Sequence, residues 1–205
     1  PRFSPRERSE SLAAEWQIGK KFVIGYLGTH GMAHGLKNVL DAAEKIKEHT
    51  EILFLFVGAG AEKDGLVDEV ECRGLSNVKF MKSQPKELMP EIWSLCNIAL
   101  VHLRNMPEFA QVLPSKIFEA MAMGLPVLLV SPEGEASELV SFHGVGSWVP
   151  AENPEKLAAV VLSLCGDKDL LSRYARASSE AAQLHSRERQ AQEMLSVFER
   201  VIERQ

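Results

Sequence analysis

The chain has 205 residues, of which 45% are apolar and 25% are charged, so it can bury a sizeable core in one large or two small domains. Its 23 basic and 28 acidic residues give a formal net charge of -5, which excludes the electrostatic footprint of a nucleic-acid-binding protein. No apolar run reaches the about 20 residues that a membrane-spanning helix requires.

The cysteines indicate the protein's surroundings. Cys72, Cys96 and Cys165 are far apart and form no C-x-x-C pair, so the sequence predicts neither a disulfide framework nor a zinc site. We therefore expect a cytoplasmic protein. Because the chain begins with Pro1 rather than methionine, we also expect it to be a piece of a longer protein.

The first predicted elements are a linker and a short helix in residues 1–19, where proline, serine and charged residues precede apolar positions with helical spacing. Residues 21–27, KFVIGYL, predict a strand because they are rich in β-branched and aromatic side chains. A glycine loop, GTHGMAHG at 28–35, follows this strand. The next helix is predicted from apolar residues that repeat with a period of 3.6, namely Leu36, Val39, Leu40, Ala43 and Ile46.

The same alternation of strand and helix continues along the chain. Further strands are predicted at 51–57, 77–81, 97–101, 126–130 and 146–149. Helices are predicted at about 62–73 and 86–95, from Ser115, and near 135–140. The six apolar runs predict an α/β domain over residues 20–165, a Rossmann-like doubly wound parallel sheet of about six strands. Residues 166–205 predict C-terminal helices that pack on this domain or on a missing N-terminal domain.

Ligands of open parallel sheets bind beyond the carboxyl ends of the strands. Three loops expected there are glycine-bearing or polar: residues 28–35, 58–60 and 114–116. A glycine loop that opens into a helix lets backbone amides approach a phosphate, although glycine turns also serve any strand-to-helix connection. The loop matches neither G-x-G-x-x-G nor G-x-x-x-x-G-K-[ST], which excludes a simple NAD dehydrogenase and a P-loop NTPase.

His30 and His34 lie in the first loop, four residues apart. In a helix this spacing can bind zinc, but here the spacer is G-M-A within a loop and no third ligand is near, so we expect no metal. As cations or as neutral donors, these imidazoles suit a pyrophosphate.

Glu119 is the single carboxylate on the apolar helix that begins at Ser115. Ser115 and Lys116 lie one turn before it on the same face, whereas Ile117, Ala120, Met121 and Gly124 point into the predicted core. An acid at the start of a helix is also favoured by the helix dipole alone. The position at the ligand edge of the sheet makes Glu119 a candidate ligand-binding residue.

Four segments together resemble a known family: G-x-x-G-x-x-x-G-L at Gly28–Leu36, FVGAG at Phe56–Gly60, NVKFM-x-x-Q-P from Asn77, and KIFEAMAMGLPVLL from Lys116. They resemble the nucleotide-sugar half of retaining glycosyltransferases with the GT-B fold, especially bacterial cell-surface polysaccharide enzymes related to amino-sugar transferases. The resemblance extends from about Lys20 to the end of the chain. It implies a C-terminal Rossmann-like domain that is one half of a GT-B fold, the other half being a missing N-terminal domain.

The resemblance implies two candidate catalytic residues. Glu119 matches the family glutamate whose carboxylate accepts hydrogen bonds from the ribose hydroxyls. Gln111 stands where the family has a second glutamate, which contacts the hydroxyls of the donor sugar. An amide can still make those contacts, but the replacement puts the role of this position in question.

The resemblance also implies the diphosphate and base contacts. The expected diphosphate-binding residues are Gly28, Thr29, His30, Gly31, His34, Gly35, Ser115 and Lys116. The two histidines replace an arginine and a lysine of the family, whereas Ser115 can cap the helix and Lys116 can meet a phosphate or pair with Glu119. The base and ribose are expected to be held by Gly58, Met81, Lys82, Ser83 and Gln84 together with Glu119.

The function implied by the resemblance is sugar transfer, with retention, from a nucleotide diphosphate sugar, expected to be a UDP-sugar, in cell-surface polysaccharide biosynthesis. No metal or other cofactor is expected, and the partners are the donor and a glycan or lipid-linked acceptor held by the missing domain. The full-length enzyme is expected at the inner face of the cytoplasmic membrane, in peripheral association. Two alternatives remain open: a GT-B-type nucleotide-sugar epimerase and a non-catalytic nucleotide-binding module.

Overall fold

A computed structural model describes residues 2–202. Its centre is one six-stranded sheet, with strands β1 Phe22–Leu27, β2 Ile52–Val57, β3 Val78–Met81, β4 Ile98–His102, β5 Val127–Ser131 and β6 Gly146–Pro150. Every strand pair is parallel, and the order across the sheet is β3-β2-β1-β4-β5-β6. The predicted doubly wound parallel sheet is therefore confirmed.

The helices of the described residues alternate with these strands and then continue alone. They are α1 Glu10–Glu15, α2 Lys37–Lys45, α3 Lys63–Arg73, α4 Met89–Trp93, α5 Ser115–Ala122, α6 Glu135–His143, α7 Pro154–Gly166, α8 Lys168–Leu184 and α9 Arg187–Ile202. Two short 3₁₀ turns lie in loops, at Met32–His34 and Pro107–Gln111. None of the helices in the described part of the chain is both long and apolar enough to cross a membrane.

Each face of the sheet carries its own hydrophobic core. Side chains alternate along the strands, so that Leu53, Leu55 and Val57 of β2 enter one cluster, together with residues of α1, α4, α5, α6 and α8. The intervening residues Phe54 and Phe56 enter the other cluster, with residues of α2, α3 and α7. Burial on both faces explains why the strands are nearly continuous apolar runs in the sequence.

The strand order fixes where a ligand can bind. The chain leaves β1 toward β2 on one side of the sheet, whereas β4, the other neighbour of β1, leads toward β5 on the opposite side. The loops after β1 and β4 therefore diverge and open a crevice at the carboxyl edge, the usual ligand position in open α/β sheets.

Two helix boundaries differ from the sequence prediction. The helix predicted at 86–95 is only Met89–Trp93, with Pro90 in its first turn, where its missing N–H costs no hydrogen bond. The helix predicted near 135–140 continues to His143 and ends where Gly144 adopts the left-handed conformation, φ 59°.

The segments on either side of the sheet domain pack unequally on it. Trp16 and Ile18, from the region predicted as linker and helix, are buried in the same cluster as β1. The Ser178 hydroxyl of α8 donates to the Leu125 carbonyl at 2.8 Å. The helix α9, in contrast, exposes a set of large apolar side chains: Met194, Leu195, Val197, Phe198, Val201 and Ile202.

Candidate functional site

The floor of the crevice is built from two glycine loops that touch through their backbones. A Cβ added at Gly58, where φ is +154°, would lie 1.9 Å from the Gly28 carbonyl oxygen, and one at Gly60 would lie 2.3 Å from that of His30. The N–H of Gly28 also donates to the Val57 carbonyl at 2.8 Å. Only glycine fits at positions 58 and 60, so the G-A-G sequence is required by close approach of the two loops.

A cleft of about 310 Å³ opens above this floor. It is lined by Gly28, Thr29, Val57, Gly58, Ala59, Ser83, Gln84 and Met89. The structure thus brings together the first loop, the second loop and the segment after β3, three regions that the sequence predicted to share one ligand. Thr29 is exposed at the rim, and its carbonyl accepts a hydrogen bond from the Tyr26 hydroxyl at 2.7 Å.

Lys116 reaches over the first glycine loop. A Cβ added at Gly28 would lie 2.3 Å from Cε and 2.7 Å from Nζ of Lys116, so a side chain at position 28 would displace the ammonium group. The same ammonium lies 5.5 Å from the centre of the Tyr26 ring. Burial lowers the pKa of Lys116, and the nearby Glu119 carboxylate opposes this shift. No salt bridge of the described residues includes Lys116, so the alternative pairing with Glu119 is not formed.

The N-terminus of α5 points into the same region. Ser115 is the first helical residue and Pro114 is the N-cap, which makes no side-chain hydrogen bond to the helix. The expectation that Ser115 caps the helix is therefore wrong, because its own position is already inside the first turn. The amides at this end have no capping side chain, and they carry the positive end of the helix dipole.

Glu119 lies on α5, half-buried, one turn beyond Lys116. The indole nitrogen of Trp93 donates to its carboxylate at 3.4 Å. Ile117, Ala120 and Met121 are buried on the opposite side of the helix, as the sequence predicted. The contact with a buried tryptophan holds the carboxylate on the ligand side while it keeps further acceptor capacity.

His30 differs from the sequence prediction. Its side chain is fully buried, and both ring nitrogens are buried without a hydrogen-bond partner among the described residues. The ring packs among Tyr26, Phe56 and Phe80, with ring centres between 5.6 and 6.1 Å away. Burial lowers the pKa of His30 to about 4. In this arrangement the imidazole is a neutral core side chain and not the expected diphosphate ligand, because its backbone turns the ring inward beneath the loop.

His34 and His102 hold the first loop against the end of β4. Nδ1 of His34 lies 3.2 Å from the His102 carbonyl, and Nδ1 of His102 lies 2.6 Å from the His34 carbonyl. A carbonyl only accepts, so each Nδ1 carries a hydrogen. The Asn38 amide lies 2.9 Å from Nε2 of His102, which fixes that buried ring as neutral, and burial lowers its pKa to about 4.

His34 is the member of this pair that faces outward. It is only half-buried, and no described group lies within hydrogen-bond distance of its Nε2. Burial lowers the pKa of His34 below its ordinary value, although the hydrogen bond to the His102 carbonyl opposes the shift. The neutral ring therefore presents a lone pair at Nε2, and a second proton is needed before it can donate to an anion.

Several predicted residues are not among those that line the cleft. Gly31 begins the 3₁₀ turn Met32–His34, and Gly35 ends it in the left-handed conformation, φ 54°. Gln111 is exposed at the end of the turn Pro107–Gln111, and the preceding Ala110 carbonyl lies 2.1 Å from the position of a Cβ on Gly134. Lys82 is exposed. These predicted residues belong to the loops that follow β1, β3 and β4.

Lys63 is a residue that sequence reasoning missed. Its ammonium donates to the Gly58 carbonyl at 2.7 Å and to the Met81 carbonyl at 2.6 Å, and so joins the ends of β2 and β3. A signal was present: Lys63 is the first residue of α3, where the helix dipole disfavours a cation. A lysine at such a position indicates that another interaction compensates for the unfavourable dipole.

Groups of three or more His, Cys, Asp or Glu side chains that could hold a metal ion do not occur among residues 2–202. The arrangement instead offers amides, the Lys116 ammonium group and a helix N-terminus around a glycine floor, with a carboxylate one helical turn away. That chemistry suits an anion such as a phosphate joined to a hydroxyl-bearing group.

Comparison with known proteins gives this site a context. The family described as Glycosyl transferases group 1 matches residues 8–182. The protein named "Putative colanic acid biosynthesis glycosyl transferase WcaI", from Escherichia coli (strain K12), is 31% identical over 141 residues, which are 68% of this chain and 34% of that protein. The chain thus spans about a third of the length of this curated relative.

Two solved structures share the fold. The C-terminal domain of a glycosyl transferase group 1 family protein (LpcC) from Francisella tularensis has a TM-score of 0.69 at 18% identity, covering 87% of this chain and 94% of that chain. Anabaena Alr3699/HepE, solved in complex with UDP and glucose, has a TM-score of 0.75 at 22% identity, covering 93% of this chain and 53% of that chain. The fold is thus the Rossmann-like half of a GT-B fold, as the sequence predicted.

Proposed function

This chain belongs to the Glycosyl transferases group 1 family, and we propose that it is the donor-binding domain of a retaining glycosyltransferase that uses a UDP-sugar in cell-surface polysaccharide biosynthesis. The acceptor, a glycan or a lipid-linked glycan, would be bound by another domain of the full-length enzyme at the membrane surface. No metal is needed in this proposal, because amides, a helix N-terminus and a lysine can stabilise the departing diphosphate.

The observation that carries the proposal is the position of Lys116 above Gly28, next to the uncapped N-terminus of α5. Three sources of positive potential meet there: the ammonium group, the helix dipole and the loop amides that glycine leaves accessible. Each favours negative charge, and together they suit the two linked phosphates of a nucleotide sugar. The charge that develops on the leaving diphosphate would be stabilised by groups already in place.

The ribose and the base would extend away from this point into different surroundings, the ribose toward a carboxylate and the base into the cleft. The Glu119 carboxylate is acceptor-only and can hold two vicinal ribose hydroxyls at once. The base would enter the cleft between Gly58 on one side and Ser83 and Gln84 on the other. UDP is the first choice among nucleotides because a solved structure with the same fold, HepE, contains UDP.

The test is a thermal-unfolding screen of this chain with UDP, GDP, TDP and ADP. A ligand present at 100 times its Kd stabilises a protein by about 2.7 kcal/mol, which for a domain of this size raises Tm by roughly 5–11 °C. Uridine without the diphosphate should raise Tm less, because it leaves the Lys116 site empty. If none of the four nucleotides raises Tm, the proposal is wrong.

A non-catalytic nucleotide-binding module is the second candidate. Gln111 in place of a carboxylate, and the burial of His30, both favour it. Sugar transfer by the full-length enzyme separates the two candidates, and product analysis would also reveal an epimerase. We expect the present chain alone to bind nucleotide without transferring sugar, and transfer by this chain alone would contradict that expectation.

A further inference from the structure

Lys63 joins the two loops that border the cleft on the β2 and β3 side. Its ammonium donates to the carbonyl that follows β2, at Gly58, and to the carbonyl that ends β3, at Met81. Both distances, 2.7 and 2.6 Å, are those of strong charge-assisted hydrogen bonds. One side chain therefore fixes the spacing between these two loops.

The Met81 carbonyl is fully used by this arrangement. It accepts from the Gly58 N–H at 3.4 Å as well as from Lys63 at 2.6 Å. A carbonyl oxygen has two lone pairs, so this one has no capacity left for a ligand. Of the segment predicted to contact a base, only the residues beyond Met81 can offer backbone acceptors.

The two bonded carbonyls lie next to the residues that face each other across the cleft. Gly58 lines one side, and Ser83 and Gln84, which follow Met81 after Lys82, line the other. The elements assigned to the diphosphate, Lys116 and the N-terminus of α5, follow β4, and among the described residues no hydrogen bond joins them to Lys63. The lysine thus acts on the side of the cleft formed by the loops after β2 and β3, where the Gly58 backbone also packs against Gly28 of the first loop.

The charged form of Lys63 is disfavoured both by its position on α3 and by its burial. Lys63 is partly buried at the start of α3, where the helix dipole opposes its charge. Burial lowers its pKa, with Lys82 adding to the shift and Asp64 opposing it. An apolar residue would avoid these costs but could bond neither carbonyl.

We propose that Lys63 is a positioning residue for the nucleobase. Lys63 holds the segment 81–84 at a fixed distance from Gly58 and so sets the width of the part of the cleft that receives the base. The inference rests on the proposed function, since it assigns one part of the donor site. Lys63 itself does not touch the base. It acts through the two carbonyls, and the base contacts fall to the backbone of residues 82–84.

The experiment compares UDP with ribose 5-diphosphate, which has the same ribose and diphosphate but no base. Calorimetry on the 205-residue chain gives both Kd values for the unsubstituted protein, Lys63→Met, Lys63→Leu and Lys63→Arg. Lys47→Met is the matched control, because Lys47 is exposed and lies between α2 and β2, at the opposite edge of the sheet.

Lys63→Met is expected to raise the Kd for UDP about tenfold, the equivalent of one lost hydrogen bond. The Kd for ribose 5-diphosphate should stay unchanged. The preference for UDP over ADP should shrink as well. Lys63→Arg, which keeps two donors on a cation, should restore most of the affinity, and Lys47→Met should change nothing. Lys63→Leu, which also has no donor, replaces Lys63→Met if the latter fails to fold.

Equal weakening of UDP and ribose 5-diphosphate would overturn the inference, since the lysine would then act on the whole site. Unchanged UDP affinity in a folded variant would overturn it too. Both results leave the proposed function standing. Absence of UDP binding by the unsubstituted chain is a different outcome, which overturns the proposed function and this inference with it.

Discussion

Replacement of Lys116 by methionine is expected to change nucleotide affinity and stability in opposite directions. The ammonium group lies over Gly28 and the Tyr26 ring, half-buried and in no salt bridge of the described residues. Methionine is similar in length and flexibility, so Lys116→Met removes the charge and keeps most of the packing.

The magnitudes follow from the two states of the protein. A hydrogen bond from the ammonium to a phosphate is worth about 1.5–3 kcal/mol, so its loss should raise the Kd for UDP about 10- to 150-fold. Without ligand, the same ammonium bears a desolvation cost, because burial lowers its pKa relative to the unfolded chain. That cost applies while the folded chain keeps the ammonium charged, and it disappears as pH rises from the lowered folded-state pKa to the unfolded-state pKa. The unliganded variant should therefore be as stable as the parent or more stable at pH 7.

The assay pairs calorimetric titration with UDP and urea denaturation of the unliganded protein, both at pH 7. Lys116→Arg keeps the charge and should lose much less affinity, and Lys47→Met controls for removal of a lysine elsewhere. Two results would refute the reasoning. Unchanged UDP affinity would place the diphosphate elsewhere, and a joint loss of affinity and stability would mean that Lys116 acts through the fold.

Three further predictions concern other parts of the site. In calorimetry, Glu119→Gln should raise the Kd for UDP about tenfold but leave the Kd for 2′,3′-dideoxyuridine diphosphate unchanged, because the substitution affects only contacts to the ribose hydroxyls. An equal rise in both Kd values would contradict the ribose role. Burial lowers the pKa of His30 and His102 to about 4, so the unfolded chain binds more protons between about pH 6.5 and 4. In urea unfolding across that range, the free energy of unfolding should decrease as the pH is lowered, by up to about 1.4 kcal/mol per pH unit for each histidine. A flat profile would mean that both histidines titrate normally. Gly58→Ala should strongly lower Tm, because its methyl group would lie 1.9 Å from a carbonyl oxygen of the first loop, whereas Gly65→Ala, with open space within α3, should stabilise by about 0.5–1 kcal/mol.

The fold was predictable because its signals are local and repeated. Each strand is an apolar run buried on both faces, and each following helix has its own apolar period, so six strands and their order of succession are visible in the sequence. Helix ends were less visible. The start of α4 at Met89 depends on Pro90, and the end of α6 depends on Gly144 in the left-handed conformation. A proline or glycine in the sequence limits where a helix can begin or end, but it does not fix the boundary residue by itself.

The site was predictable in its loops but not in its side-chain directions. The sequence places His30 and His34 in one glycine loop, yet one ring enters an aromatic cluster and the other faces outward. The loop backbone decides between these directions, because the His30 N–H donates to the Ala59 carbonyl at 2.9 Å. Lys63 was missed for a similar reason, since its partners are backbone carbonyls from two other loops.

Under the proposed function, the histidines also affect which group is expected to supply positive charge at the diphosphate. Because the His102 carbonyl holds the hydrogen of His34 on Nδ1, the neutral ring can only accept at Nε2. In that form it suits a hydroxyl of the donor sugar, and it can donate to a phosphate only after taking up a second proton. Burial makes that proton harder to add. Under the proposed function, Lys116 with the α5 dipole is therefore expected to supply more positive charge to the phosphates near neutral pH than the two histidines, which is why a single uncharged substitution there should have so large an effect on UDP binding.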